Sequence, residues 1–188
     1  MSAATTRTAR RPRRGLSRLA AVAAGLVVAM AVSLTPAQAE TGAMVVPTSG
    51  RVTGVVGAYC TSGRAHGGID IAAPTGTPVR AADSGVVSIA GRRADSASYG
   101  IFIRIHHGTR YRTIYAHLSK LAVKPGQTVK EGQVIGYVGN TGRSYGAHLH
   151  FEVRLDNVRQ SGINTSFRCR TNVTAGNRIQ WGFPYLAR

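Results

Sequence analysis

The chain has 188 residues, 43% hydrophobic and 16% charged. That is enough for one packed domain or at most two small ones, and too apolar for a wholly disordered chain. Lys and Arg number 24 against 7 Asp and Glu, a formal charge of +17. Six arginines fall in residues 1–39, which hold no acid, so residues 40–188 carry 18 basic against 7 acidic side chains, or +11.

Residues 1–18 are polar and basic, and Leu19 to Leu34 is an apolar run of 16 residues. Ala37-Gln38-Ala39 follows, an A-x-A cleavage signature before Glu40. This order reads as a secretory signal over 1–39, removed on export. The competing reading is a membrane anchor, but a spanning helix wants about 20 apolar residues, and Gly25 and Ser33 interrupt this run. No stable anchor is expected after cleavage. Arg13-Arg14-Gly15-Leu16 resembles a twin-arginine signal, an alternative to the general secretory route that also ends outside the cytoplasm. The two cysteines, Cys60 and Cys169, agree with export, since an even count there reads as one disulfide. The competing reading makes Cys60, close to His66, a metal ligand.

Residues 40–50 are rich in Gly, Pro, Thr and Ser and read as a short linker. From Arg51 onward short apolar runs are punctuated by Gly, an all-β rhythm. Ile101, Ile103 and Ile105 alternate with Phe102 and Arg104, which predicts a strand with a buried Ile face. His106-His107-Gly108-Thr109 reads as a turn into a second strand from Arg110 to Ala116, and the two form a hairpin. The stretch from Pro125 to Gly136 predicts two short strands around Gly turns, and Leu149 to Leu155 another strand. Residues 159–188 lose the alternation and read as an extension pinned by Cys169.

The six histidines differ in setting. His66-Gly67-Gly68-Ile69-Asp70 separates a His and an Asp by two glycines that let the backbone bend, so both side chains can converge. Imidazole and carboxylate are a good pair for zinc, although such a loop pair is also a common surface hydrogen bond. In a strand, His148 and His150 share one face while Leu149, Phe151 and Val153 point to a core. Two imidazoles on one face need either solvent or a function. Alternation also puts Tyr111, Thr113, Tyr115 and His117 on one strand face. His106 and His107, beside Gly108, read as structural.

Together the pieces run His-x-x-x-Asp, then Tyr-Ala-His-Leu, then His-Leu-His-Phe-Glu. This order resembles the LytM and lysostaphin-type zinc metallopeptidases over about residues 50–155. The likeness includes the connecting pieces Gly76-Thr77-Pro78-Val79, Gly132-Gln133-Val134-Ile135-Gly136 and Gly139-Asn140-Thr141-Gly142. The resemblance implies a mostly β fold: a small antiparallel sheet or sandwich over 51–158, with an open groove holding one zinc ion, then the irregular extension. It implies His66, Asp70 and His150 as zinc ligands and His117 and His148 as the catalytic pair. The metal would activate a water, and a neutral His can take and return its proton. Glu152 could face the same side and is a candidate hydrogen-bond partner for a ligand imidazole. The family often has Phe-Gly-x-Arg upstream of the first His; this chain has Gly57-Ala58-Tyr59-Cys60. Tyr59 is the candidate for stabilising an oxyanion.

The implied function is a secreted or wall-associated zinc endopeptidase, a monomer, cutting peptide cross-links of bacterial peptidoglycan. Its positive charge would favour adsorption to anionic wall polymers. The alternative is a non-catalytic wall-binding or regulatory module of the same fold. A lipoyl- or biotinyl-type carrier lacks a convincing lysine tip among Lys120, Lys124 and Lys130. Nucleic acid is not an expected partner: the arginines are scattered along the chain and few aromatics interleave with them.

Overall fold

The computed structural model describes residues 43–180. The signal assigned to 1–39 lies outside the described residues. The strands are β1 (Ala43–Val45), β2 (Gly50–Val55), β3 (Ala58–Tyr59), β4 (Ile69–Ala72), β5 (Pro78–Arg80), β6 (Gly85–Gly91), β7 (Phe102–His107), β8 (Tyr111–Ala116), β9 (Lys120–Leu121), β10 (Thr128–Val129), β11 (Val134–Tyr137), β12 (His148–Leu155), β13 (Val158–Arg159), β14 (Asn172–Val173) and β15 (Arg178–Gln180). Two short 3-10 segments, Ala94–Tyr99 and Gly162–Thr165, are the helical pieces among the described residues. No helix among them is long and apolar enough to cross a membrane.

The main antiparallel sheet runs β10-β6-β7-β8-β12-β4-β2-β14 and stays open. A smaller sheet, β5-β11-β9, and the pair β1-β15 accompany it. The two short strands expected between Pro125 and Gly136 form, but they do not pair with each other. β10 pairs β6, whereas β11 pairs β5 and β9.

Period-two alternation gives the main sheet two unlike faces. Ile69 and Ile71 of β4, Ile103 and Ile105 of β7, Tyr115 of β8, and Leu149, Phe151 and Val153 of β12 are buried together. Val79, Leu118, Ile135 and Val138 join them in the same core. Each such apolar side chain contributes about 1.5–3 kcal/mol by leaving water. The opposite face carries a small apolar group, Phe102, Ile114 and Ala116, with Ile89 and Tyr99 against it. Asp70, His148, His150 and Glu152 alternate onto that face.

Three boundaries differ from the sequence reading. Residues 43–50 are not a free linker: β1 pairs β15, and Met44, Val45, Val46 and Thr48 are buried. The Pro and Ser that suggested a linker flank an apolar run, Ala43 to Val46, which the core takes up. β7 extends through His107, so the turn is carried by Gly108 at φ 82°. His107 is buried, its Nδ1–H donating to the Ser84 carbonyl at 2.8 Å and its Nε2 meeting the Thr113 hydroxyl at 2.8 Å. Residues 159–180 are largely irregular, yet Ile163, Phe167 and Ile179 are buried in the core and β14 adds to the β2 edge. Cys60 and Cys169 form a disulfide across a sequence separation of 109. Its formation removes the reading of Cys60 as a metal ligand.

Candidate metal centre

The centre is built on one cross-strand row. His150 of β12 lies opposite Asp70 of β4 on one side and Ala116 of β8 on the other, and Asp70 lies opposite Gly54 of β2. His66, in the loop before β4, folds over this row. A Cβ on Gly54 would stand 2.9 Å from His66 Nδ1, so the missing side chain makes room for the ring. Gly68 serves in the same way, since a Cβ there would stand 2.6 Å from the Phe151 carbonyl oxygen and 2.8 Å from His150 Cε1. Gly67 and Gly68 do not have positive φ. They matter through close approach rather than through the sharp bend the sequence suggested.

Three atoms converge. Asp70 Oδ1 lies 3.1 Å from His66 Nε2 and 2.8 Å from His150 Nδ1, and the two nitrogens are 3.2 Å apart. The outer nitrogens decide what faces inward. His66 Nδ1–H donates to the Val55 carbonyl at 3.2 Å, and His150 Nε2–H donates to Glu152 Oε1 at 3.0 Å. Without a metal, a proton on His150 Nδ1 can bridge to Asp70; with both rings neutral, as metal binding requires, they aim lone pairs beside the carboxylate and all three converging atoms are acceptors. A proton can serve only one pair of them at a time; a divalent cation serves all three. A tetrahedral ion with bonds of about 2.0–2.2 Å separates its donors by roughly 3.3 Å, close to the edges found here. The donor set His66, Asp70 and His150 could therefore hold a metal ion, and its nitrogen and oxygen atoms suit zinc.

The electrostatics agree. Burial alone would raise the Asp70 carboxyl and lower His150. Hydrogen bonds from His150 and His66 prevail and hold Asp70 far below the usual carboxylate range. Hydrogen bonds to Asp70 and Glu152 prevail at His150 and raise it to about 9. The pocket is thus a strongly negative place that favours a cation. Glu152 is 1% exposed and supports it from behind. Its Oε1 accepts from Tyr99 Oη at 2.8 Å and from Arg159 Nε at 3.2 Å, and its Oε2 from Arg154 Nε at 2.6 Å. Burial would raise the Glu152 carboxyl, but the hydrogen bonds and charges of His150 and then Arg154 hold it down at about 2.

His117 and His148 stand beside the three, with ring centroids 4.7 Å apart. His148 Nδ1–H donates to the Gly146 carbonyl at 2.8 Å, and its Nε2 is 3.6 Å from Asp70 Oδ1. His117 Nδ1–H donates to the Thr141 carbonyl at 2.7 Å. Burial lowers His117 to about 4, with His148 and His150 lowering it further, so it is neutral at pH 7 with a free Nε2 lone pair. Its placement differs from the sequence reading. β8 ends at Ala116, and His117 has φ 63°. That left-handed residue breaks the alternation. Tyr115 stays in the core against Phe151, while the His117 ring turns to the opposite face, 5.7 Å from His150. Tyr59 lies on the other side, its ring centroid 4.3 Å from that of His66, and it is 37% exposed. The family resemblance includes Tyr99-Gly100, but sequence reasoning gave Tyr99 no role, since it sits in a 3-10 segment with no periodic signal to mark it.

A model of peptidase family M23 matches residues 64–162. The chain belongs to that family. Among curated relatives, this M23 chain is 50% identical over 93 residues to the DD-carboxypeptidase/endopeptidase Mpg of Neisseria meningitidis, covering 50% of this chain and 21% of that protein. It is 48% identical over 88 residues to the peptidoglycan DD-endopeptidase ShyA of Vibrio cholerae, covering 47% and 20%. The matched part thus spans about one fifth of those relatives. Among solved structures, a zinc-containing peptidase from Vibrio cholerae superposes with a TM-score of 0.53 at 37% identity, covering 61% of this chain and 37% of that one. The catalytic domain of lysostaphin from Staphylococcus simulans gives a TM-score of 0.50 at 34% identity, covering 63% and 91%.

Proposed function

We propose that this M23 chain is an exported zinc endopeptidase that hydrolyses peptide cross-links of bacterial peptidoglycan. The observation that carries the reading is the convergence of three acceptor atoms, from His66, Asp70 and His150, beside two further imidazoles. The relatives named as peptidoglycan endopeptidases and the zinc-containing structural neighbour support the substrate class and the metal. Residues 1–39 would be the export signal, residues 51–158 the catalytic domain, and the Cys60–Cys169 disulfide fits action outside the cytoplasm.

His66 Nε2, Asp70 Oδ1 and His150 Nδ1 would hold the ion, with His66 and His150 oriented by Val55 and Glu152. Bound there, zinc would lower the pKa of a water toward ~7 and polarise the scissile carbonyl. His117, neutral and held by Thr141, is placed to take a proton at Nε2 and later to pass it to the leaving amine. His148, held at Nδ1 by Gly146, presents its Nε2 on the same side and would steady charge that develops on the substrate oxygen. Tyr59 is the further candidate for that oxyanion.

The test incubates zinc-loaded protein with peptidoglycan of several cross-link types and identifies new amino termini by mass spectrometry. Cleavage that disappears in His117→Ala, in His148→Ala and after chelation establishes the activity and names the bond. Binding to wall without release from any type would instead select the non-catalytic module.

A further inference from the structure

The sequence scatters its arginines, but the sheet register gathers several of them. On the histidine-bearing face, the row next to that of His150 holds Arg104, Ile114 and Glu152. The row beyond holds His106, Arg112, Arg154 and Arg159, on four adjacent strands. Neighbouring strands are about 4.8 Å apart, and like charges directly opposite one another repel. The nearby acids are committed elsewhere. Glu152 engages Arg154 and Arg159, Asp95 engages Arg93, and Asp156 engages Arg110. Neither Arg104 nor Arg112 has an ion-pair partner among the described residues. Arg104 donates from Nε to Ser88 Oγ at 3.0 Å. Burial, together with the guanidinium groups of Arg112, Arg93 and Arg154, lowers its pKa from the ordinary value.

Arg104 and Arg154 of these rows, with Arg93, line a cleft of about 250 Å³ together with Ser88, Ser96, Tyr99 and Phe102, with Asp95 on its wall beside Arg93; Arg112 stands next to it, opposite Arg154. Arg154, on its lining, lies four residues along β12 from His150, or about 13 Å, while Tyr99, also on its lining, has its ring centroid 6.0 Å from that of His150. We propose that this arginine cluster docks a phosphodiester polymer, a chain of repeating phosphate anions without bases. Guanidinium forks match oxyanions in paired hydrogen bonds. The diverging oxygens of a tetrahedral phosphate can be shared between Arg104 and Arg112 on adjacent strands, which the planar oxygens of one carboxylate do less well. The row spans four strands, about 14 Å, longer than one anion, so a chain fits it better than a single ion. Nucleic acid fits less well. Single strands are held by bases stacked on exposed aromatic rings; of the two aromatics that line this cleft, Phe102 is 2% exposed and Tyr99 is half-buried with its hydroxyl bound to Glu152, while the exposed Tyr59 and Tyr145 do not line it.

The docking site goes beyond the hydrolytic reading, and its test reads binding without turnover, so either can fail alone. A short synthetic poly(glycerol phosphate) is titrated into the full chain by calorimetry, for the wild type, R104Q/R112Q and K124Q/K130Q. Lys124 and Lys130 are exposed, and this control removes the same charge from elsewhere. The expected result is wild-type binding weakened on the order of tenfold in R104Q/R112Q, with a shallower salt dependence, and unchanged in K124Q/K130Q. Arg112 makes no side-chain hydrogen bond among the described residues, so R112Q alone keeps the fold and shows a smaller loss of the same kind. Equal weakening in both double variants would overturn the proposal in favour of diffuse charge. So would absence of wild-type binding. Displacement of the polymer at equal charge by inorganic phosphate, by poly-glutamate or by a single-stranded oligonucleotide would overturn the choice of ligand.

Discussion

Where β4 meets β12, three ligand-type atoms crowd within hydrogen-bonding distance of one another; two rows further along β12, three arginines, Arg112, Arg154 and Arg159, do the crowding. Each arrangement favours a ligand of opposite sign, although a proton on His150 already answers the negative end in part. The difference lies in closure. The metal end is flanked by small residues, Gly54 and Ala116, and roofed by His66, so its donors are buried and fixed. The arginine end is half open, with side chains of Arg154 and Arg159 at 20% and 47% exposure. A small hard ion needs fixed donors at short distances, whereas a flexible polyanion tolerates mobile ones. Glu152 sits between the two ends and touches both.

The comparison breaks most severely at Asp70. Asp70→Asn removes the only carboxylate in the convergence. Metal affinity, read by competition with a chelating dye, should fall by more than the ~10–100-fold that a ligand's supporting partner costs. Polymer binding at the arginine end should not change. Glu152→Gln should move the two ends in opposite directions. Metal affinity drops by ~10–100-fold, while Arg154 and Arg159, released from their acid, bind polymer more tightly. The same change costs roughly 1–3 kcal/mol of stability from strained or lost buried hydrogen bonds, visible in denaturant unfolding. Gly68→Ala tests the close approach. Its Cβ would meet backbone at 2.6 Å, so a loss of about 1–3 kcal/mol is expected, with weaker metal binding and unaltered polymer binding.

What the sequence disclosed follows the reach of each rule. Alternation over Leu149, Phe151 and Val153 placed His148 and His150 on one face because side-chain direction in a strand is local. The pairing of Cys60 with Cys169 was readable from parity and export. Register was not readable: nothing local says that His150 lies opposite Asp70, 80 positions away, or that Arg112 lies opposite Arg154. For the same reason the arginines looked scattered. Met44 to Thr48 looked like a linker because their partners, β15 among them, come from the far end of the described chain.

His117 is the sharpest case, and it sets the smallest effect on stability. Alternation put it on the face of Tyr115, and one left-handed residue reversed that. A non-glycine residue there costs of order 1 kcal/mol or more. The strain is held by the Nδ1–H bond to Thr141 and by the His117 backbone N–H donating to the Tyr99 carbonyl at 2.9 Å. Asparagine tolerates this conformation and keeps an amide donor for Thr141, but it offers no basic nitrogen. His117→Asn should therefore shift unfolding by less than about 1 kcal/mol and leave metal affinity near wild type. Cleavage of cross-linked peptide should nevertheless fall by roughly 10²–10⁴-fold. If His117→Ala unfolds the site while His117→Asn retains full turnover, the strained turn positions Leu118 and Thr141 and the proton is carried by His148.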